Sequence, residues 1–277
     1  MKKIITHTNP DIDAVAAAWI LKRYLLGWED AEIGFVTAQG VDQPDKDIEN
    51  TLYTDVGLGK LDHHQKNEFN CATKKCFEYI LEKRKKLPLA KLDQAALERL
   101  VVYINEVDNA HHMYWSEAAE DRYEFYLHQV IDGMRSNGKT DEETTALGFI
   151  MLDATLLNLK TKIRAYEEID KGVKFETKWG KGLAINSGNR HVLWYGEMAG
   201  FVLVVAKDAV QNGVKIYARP DSKVDLTKAY QKFKTLDSES DWYLHQTKRL
   251  LLNQSSVNPN LRPTKLTIEE VVKVLKK

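Results

Sequence analysis

The fold of the first part of this chain is decided by residues 3–13, KIITHTNPDID. Residues 3–6 are a β-branched run that predicts a buried strand, and residues 14–26 repeat apolar side chains at helical spacing. The turn between them therefore lies at the carboxyl end of a strand, where α/β sheets bind ligands. It carries His7, Asp11 and Asp13, although a helix N-terminus needs only one capping carboxylate.

A second segment combines a strand end with paired histidines. Asp55 ends the predicted strand 52–56, where a buried carboxylate requires an ion pair or a metal. Asp62, His63 and His64 follow it closely. Imidazole and carboxylate together suit Mn²⁺, Fe²⁺, Co²⁺ or Zn²⁺.

The third segment follows the predicted helix 92–104. Asp108 lies just beyond this helix, and His111 and His112 come directly after it. Taken singly, the three segments have ordinary explanations: a helix cap, a hydrated loop and an exposed turn. An exposed turn is our expectation for His111 and His112, and the alternative is that they line the cleft. Three acidic clusters at element ends together predict a site for two metal ions.

Strands alternate with helices through the first 150 residues, which predicts an α/β fold with a parallel sheet covered by helices on both faces. After Gly172 several short strands are separated by turn residues, which predicts a second, smaller α/β domain. We therefore expect a catalytic domain over 1–150, a connecting helix over 151–172 and a substrate-binding domain over 173–277. The expected elements are strands 3–6, 33–37, 52–56, 173–177, 182–185, 201–205 and 214–218, and helices 14–26, 76–82, 92–104, 123–134, 144–169, 226–234 and 268–275.

Charge is balanced over the whole chain and unbalanced along it. The 277 residues contain 40 basic and 40 acidic side chains, but residues 1–150 hold 18 basic and 26 acidic ones. A uniformly cationic surface is excluded, so we expect neither duplex DNA nor a membrane as a partner. The asymmetry favours an acidic metal-binding part and a basic part that binds phosphate, with chance as the alternative.

Targeting signals and disulfides are not expected. The apolar stretch after the basic start is only two residues long, and the longest apolar run, 201–206, is too short to span a bilayer. Cys71 and Cys76 are five residues apart and do not make a disulfide framework. We expect a soluble, cytoplasmic protein with reduced cysteines, and the sequence does not predict its oligomeric state.

The three segments resemble the four motifs of the DHH phosphoesterase superfamily, in order, over residues 1–150. The motifs are His7-Thr-Asn-Pro-Asp11-Ile-Asp13, Asp55, Asp62-His63-His64 and Asp108. The short gap before the third motif, the following Phe69 and the sequence around Asp108 are most similar to the MYG1-like branch. The resemblance implies a divalent-metal-dependent hydrolase of phosphoester bonds.

The resemblance also implies a role for each motif residue. One metal would be held by His7, Asp11 and Asp55, and the other by Asp13, Asp55, His63 and Asp108, so that Asp55 bridges. Mn²⁺ is the expected ion, with Mg²⁺ or Co²⁺ as alternatives. His64 would face the substrate phosphate, Asp62 would orient a histidine, and Asn9 would contact the substrate.

The C-terminal part departs from the superfamily, because it lacks the glycine-rich GGGH segment. The nearest candidate is 241–249, where Trp242 or Tyr243 could stack a base and His245 or Arg249 could bind a phosphate. Arg219 is a further cationic candidate at a strand end. The alternative is that Trp242 belongs to the core and that Arg249 lies in a solvated turn.

Three functions remain open at this point. The first is a two-metal phosphodiesterase acting on short single-stranded oligonucleotides, exonuclease or nanoRNase-like, or on cyclic dinucleotides. The second is a pyrophosphatase or exopolyphosphatase, which would need clustered Lys and Arg and no stacking surface. The third is a non-catalytic nucleotide-binding protein, which would typically have lost a ligand position, whereas all of them are present here.

Overall fold

A computed structural model describes residues 1–37, 39–254 and 260–276 of the chain. The chain divides into two compact units, Met1–Lys160 and Thr161–Lys277. Within the described ranges no helix is both long and apolar enough to cross a membrane. The α/β fold class is confirmed, with a parallel sheet in the first unit and a mixed sheet in the second.

The first unit is built on a three-stranded parallel sheet. Its central strand β1 (Lys3–His7) pairs with β2 (Glu32–Val36) on one side and β3 (Thr51–Tyr53) on the other. Strand β3 is shorter than the predicted 52–56 because Asp55 has a φ of 56°, outside the strand region. All three strands run in the same direction, so their carboxyl ends meet at one edge of the sheet.

Helix α1 (Ile12–Tyr24) is the most buried element of this unit. Every residue from Ile12 to Leu21 is buried, and the helix contacts β1 and three other helices. The predicted helix 123–134 is in fact two pieces, a 3₁₀ turn and α4. The helices after α1 are α2 (Ala72–Lys83), α3 (Lys91–Asp108), the 3₁₀ turns His111–Tyr114 and Asp121–Phe125, α4 (Leu127–Ser136) and α5 (Asp141–Lys171).

The second unit contains a six-stranded mixed sheet in the order β4-β5-β6-β7-β9-β8. The run 241–249 contains one short strand, Tyr243–Leu244, and the turn that leads to the next, where Lys248 has a φ of 58°. Helix α6 was not predicted. The elements are β4 (Val173–Thr177), β5 (Gly180–Asn186), α6 (His191–Met198), β6 (Leu203–Lys207), β7 (Val214–Ala218), α7 (Thr227–Leu236), β8 (Tyr243–Leu244), β9 (Leu250–Leu252) and α8 (Ile268–Leu275).

Close packing of α5 against α1 makes a glycine necessary at position 148. A Cβ at Gly148 would lie 2.5 Å from Cγ1 of Val15, which is fully buried. We expect Gly148→Ala to lower the free energy of unfolding by about 1 to 3 kcal/mol, because neither helix has room to move.

Gly133→Ala in α4 is the matched control. No described heavy atom lies within 4 Å of its Cβ position, so this change should stabilise the helix by about 0.5 to 1 kcal/mol. Urea unfolding of both variants measures the difference. Equal effects would show that α1 and α5 do not pack as described.

Candidate metal centre

The loop between β1 and α1 directs three side chains toward the carboxyl edge of the sheet. Asp11 caps α1, and its Oδ1 accepts hydrogen bonds from the backbone N–H groups of Asp13 and Ala14, both at 3.0 Å. Asn9 has a φ of 56°, a conformation that asparagine tolerates better than most residues. The cap thus fixes Asp11 close to His7 at the strand end.

Asp13 lies in the first turn of α1 and is fully buried. Its Oδ2 accepts the N–H of Ala72 at 2.7 Å, and its Oδ1 accepts the N–H of Thr73 at 2.9 Å. These donors form the N-terminus of α2, where unpaired N–H groups and the helix dipole favour a negative charge. Asp13 therefore joins α1 to α2 in addition to facing the predicted metal site.

Asp55 lies between two histidines, as a bridging ligand would. Its Oδ2 is 3.3 Å from Nε2 of His7, and its Oδ1 is 3.4 Å from Nε2 of His63. The residue is only 4% exposed. The positive φ of Asp55 turns the chain out of β3, which allows its carboxylate to reach both rings.

His63 connects Asp55 to the remaining two carboxylates. Its Nε2 lies 3.5 Å from Oδ2 of Asp108, at the end of α3, and 3.8 Å from Oδ2 of Asp13. The structure therefore brings all six predicted ligands together. Two groups of these residues have donor atoms that all lie within 4.8 Å of one another. One group is His7, Asp11 and Asp55, and the other is Asp13, His63 and Asp108.

Two atoms at the centre of this cluster lie 3.4 Å apart and make no hydrogen bond to a described residue. Among the residues that the structure describes, neither Oδ1 of Asp55 nor Nε2 of His63 has a hydrogen bond, although both are buried. Buried polar atoms are nearly always paired, and a missing ion is one of the few explanations for an exception. Carboxylate oxygens with imidazole nitrogens are donors for Mn²⁺ and similar cations, so the residues present fit such an ion.

Without a cation, bound protons offset the negative charge of the clustered carboxylates. The neighbouring carboxylate of Asp55 raises the pKa of His63 to about 9, against the effect of burial. Burial lowers the pKa of His7, but Asp55 outweighs it and the value rises to about 9. Burial and the neighbouring Asp55 raise the pKa of Asp13 well above its usual range, and burial raises that of Asp108 to about 6.

His64 is held by Asp62 and faces outward. Asp62 is buried, and its Oδ1 contacts Nδ1 of His64 at 2.7 Å and accepts that residue's backbone N–H at 3.1 Å. The other oxygen of Asp62 accepts the N–H of Leu58 at 2.7 Å. Since 57% of the His64 side chain is exposed, the ring is oriented by Asp62 while Nε2 is left for another group.

Asn9 is anchored by two residues that the sequence did not indicate. Its backbone N–H donates to Oδ1 of Asp141 at 2.9 Å, and its side-chain oxygen accepts from Nε of Arg135 at 2.9 Å. Arg135 also donates to Asp132 at 2.8 Å. Arg135 and Asp141 lie more than 120 residues from Asn9 and in no motif, so no local pattern could have found them. The substrate contact of Asn9 stays a prediction.

The prediction that Trp242 stacks a base is wrong. Trp242 is 7% exposed and its ring stacks on Phe233 at a centroid distance of 4.4 Å. Its Nε1 donates to Oδ2 of Asp237 at 3.3 Å. The indole belongs to the core of the second unit, where no base can reach its faces. Tyr243, the alternative for stacking, is exposed.

The three cationic candidates of the second unit have partners within that unit. Arg219 forms a two-point ion pair with Asp221, at 3.0 and 2.6 Å, which offsets its charge. Nε of Arg249 donates to the carbonyl of Ser222 at 3.0 Å. Nδ1 of His245 is bonded within its own turn. Phosphate binding by these residues stays a prediction.

The two remaining histidines behave differently from one another. His111 is exposed, as expected for a turn, and contacts the ring of Phe69. His112 is half-buried and packs against the rings of Tyr123 and His128. The expectation that both lie on an exposed turn is therefore wrong for His112, because the aromatic residues that follow it fold back over its ring.

Comparisons with known proteins give distant structural matches. No protein-family model matches the sequence, and no curated protein matches it. RecJ from Thermus thermophilus in complex with Mg²⁺ is similar at 13% identity and a TM-score of 0.32, over 99% of this chain and 49% of that one. The chain thus spans about half of that protein.

Two further solved structures have similarly low identities and TM-scores. Exonuclease RecJ bound to manganese matches at 14% identity and a TM-score of 0.33, over 99% of this chain and 89% of that one. An uncharacterized protein from Helicobacter pylori matches at 13% identity and a TM-score of 0.27, over 99% and 97% of the two chains.

Unfolding measured in EDTA, which removes metal ions, separates the structural role of the carboxylates from their metal-binding role. We expect Asp13→Asn to lower the free energy of unfolding by about 2 kcal/mol, because both side-chain oxygens of Asp13 accept N–H groups of α2 and the amide nitrogen of asparagine cannot accept one of them. Asp108→Asn is the matched control. It removes a charge that burial disfavours, so stability without metal should be unchanged or higher.

Thermal unfolding with and without Mn²⁺ measures both roles. Wild-type protein should be stabilised by the ion, since a ligand of the folded state shifts the unfolding equilibrium, and both variants should respond less. Equal losses of stability in EDTA would contradict the role of Asp13 at the start of α2. A full Mn²⁺ response in both variants would contradict the metal centre.

Proposed function

We propose that this chain is a two-metal phosphodiesterase of the DHH type that hydrolyses short single-stranded oligonucleotides from an end, or cyclic dinucleotides. The observation that carries the proposal is the position of Asp55. Its two carboxylate oxygens face His7 and His63 at 3.3 and 3.4 Å, and Asp55 belongs to one ligand group with His7 and Asp11 and to another with His63 and His64. One shared carboxylate between two groups is the arrangement of a dinuclear site.

The residues would hold the ions as two overlapping sets. His7, Asp11 and Asp55 would hold one cation, and Asp13, His63 and Asp108 the other. Asp55 would join the second set as well, because its Oδ1 lies 3.4 Å from Nε2 of His63. Two such cations supply a water nucleophile at neutral pH and stabilise the attacking and leaving oxygens of an in-line displacement. Mn²⁺ is the ion we propose. The side chains themselves then need only bind, orient and move a proton.

His64 is the side chain placed to act on the substrate. Nδ1 is engaged by Asp62, so Nε2 is the atom available to donate a hydrogen bond to a phosphate oxygen or a proton to the leaving oxygen. Asp62 fixes the tautomer and the orientation of the ring, because its own oxygens are held by backbone N–H groups. We assign proton donation to His64 and positioning to Asp62.

Turnover of defined substrates tests the proposal. With Mn²⁺, we expect hydrolysis of 2- to 5-mer RNA or DNA or of a cyclic dinucleotide, and none of pyrophosphate. Asp55→Asn should abolish activity because both ligand groups lose their shared carboxylate. Asp42→Asn, an exposed aspartate of the same unit, is the matched control and should be fully active. Hydrolysis of pyrophosphate alone would refute the proposal in favour of a pyrophosphatase.

The role of His64 has a separate test, because His64 also lies in a possible ligand group with Asp55 and His63. If it acts on the substrate, His64→Ala should lower kcat roughly 100-fold or more while the affinity for Mn²⁺ stays the same. Asp62→Asn should lower kcat by less. A parallel loss of Mn²⁺ affinity in His64→Ala would make His64 a ligand and contradict the assignment.

A further inference from the structure

Two aromatic rings contact each other in an exposed position on the first unit. The ring centroids of Phe69 and His111 are 4.4 Å apart, with an angle of 36° between the planes. Phe69 is 49% exposed, and His111 is exposed as well. Contiguous exposed apolar surface marks ligand-binding sites more often than scattered apolar side chains do.

The chain places this pair next to the metal centre. Phe69 follows His64 by five residues, and His111 follows Asp108 by three. Both segments therefore begin at residues of the candidate site. Ala110 has a φ of 58°, which turns the chain out of α3 and into the 3₁₀ turn that carries His111. The pair is thus formed by the two segments as they leave the site.

A hydrogen bond ties the two segments together. Nδ2 of Asn109 donates to the carbonyl of Asn70 at 3.0 Å, and to the carbonyl of Asn105 within α3 at 2.9 Å. Asn70 is next to Phe69, and Asn109 is next to Asp108. The rings are therefore held in position by the same backbone that positions a predicted ligand, and a group resting on them would lie at a fixed place.

Tyr103, Tyr123 and His128 form a support for the segment that carries His111. Both ring nitrogens of His128 are engaged, by the hydroxyls of Tyr103 at 2.7 Å and Tyr123 at 2.9 Å. Tyr123 and His128 are buried. This cluster packs beneath the 3₁₀ turn through His112, so it stiffens the segment that carries His111.

We infer that Phe69 and His111 form a stacking subsite for a nucleobase beside the scissile phosphate. The inference rests on the proposed phosphodiesterase function and names the substrate class of that site: a base-bearing, single-stranded phosphodiester. Aromatic faces stack on every base, so the subsite is tolerant of sequence. The subsite would also favour the binding of a nucleotide over pyrophosphate, because pyrophosphate has no base to stack.

The test compares a dinucleotide with the same molecule lacking one base. Wild-type protein with Mn²⁺ should hydrolyse the base-bearing dinucleotide with a kcat/KM roughly 10-fold higher than the abasic one, because a stacked base contributes about that factor. Phe69→Ala should remove this preference through KM, with kcat on the abasic molecule unchanged. Phe69→Tyr should restore it, since tyrosine keeps an aromatic face.

Phe125→Ala is the matched control, because Phe125 is an exposed phenylalanine in the next 3₁₀ turn. It should behave as wild type. Equal turnover of the two dinucleotides by wild-type protein would overturn the stacking subsite and leave the phosphodiesterase standing. A preference that persists in Phe69→Ala would also overturn it.

Calorimetric binding of the same two dinucleotides in EDTA gives a readout that does not depend on hydrolysis. Tighter binding of the base-bearing molecule to wild type than to Phe69→Ala supports the subsite even when no turnover is seen. Failure of turnover for both molecules counts against the proposed function. Equal binding by wild type and Phe69→Ala counts against the inference.

Discussion

Four carboxylates crowded into one edge of a sheet are the constraint on which the rest of the first unit depends. Asp11, Asp13, Asp55 and Asp108 converge there, and within the described part of the chain no lysine or arginine forms an ion pair with any of them. Like charges at short distance in a poorly solvated place repel strongly. Such a cluster persists only when protons, donors or cations offset its charge.

The fold offsets part of that charge with backbone donors. The start of α2 binds Asp13, the start of α1 binds Asp11, and backbone N–H groups near Asp62 hold the carboxylate that orients His64. The left-handed conformations at Asn9 and Asp55 cost free energy and are maintained by other contacts, such as the bond from the N–H of Asn9 to Asp141 and the bond from the N–H of Asp55 to the carbonyl of Leu61. Oδ1 of Asp55 and Nε2 of His63 have no hydrogen bond from the described backbone. A cation held by these residues would offset the remaining negative charge.

The sequence predicted the parts of the site that depend on local pattern. Strand ends followed by charged residues can be recognised from neighbouring residues, which gives the three clusters. The resemblance to the DHH superfamily then implies which six of their residues are ligands. Contacts across long separations could not be found this way, as Arg135 and Asp141 on Asn9 show. Trp242 illustrates another limit. An aromatic residue beside charged neighbours has the same pattern in a core as on a binding surface, and only burial separates the two.

The central claim is that Asp55 is shared between two cations, and Mn²⁺ stoichiometry tests it most directly. Isothermal titration of the metal-free protein should show two Mn²⁺ bound per chain. Asp108→Asn should weaken one of them and leave the other, whereas Asp55→Asn should weaken both. A single Mn²⁺ per chain, or two that bind Asp55→Asn with wild-type affinity, would contradict the account.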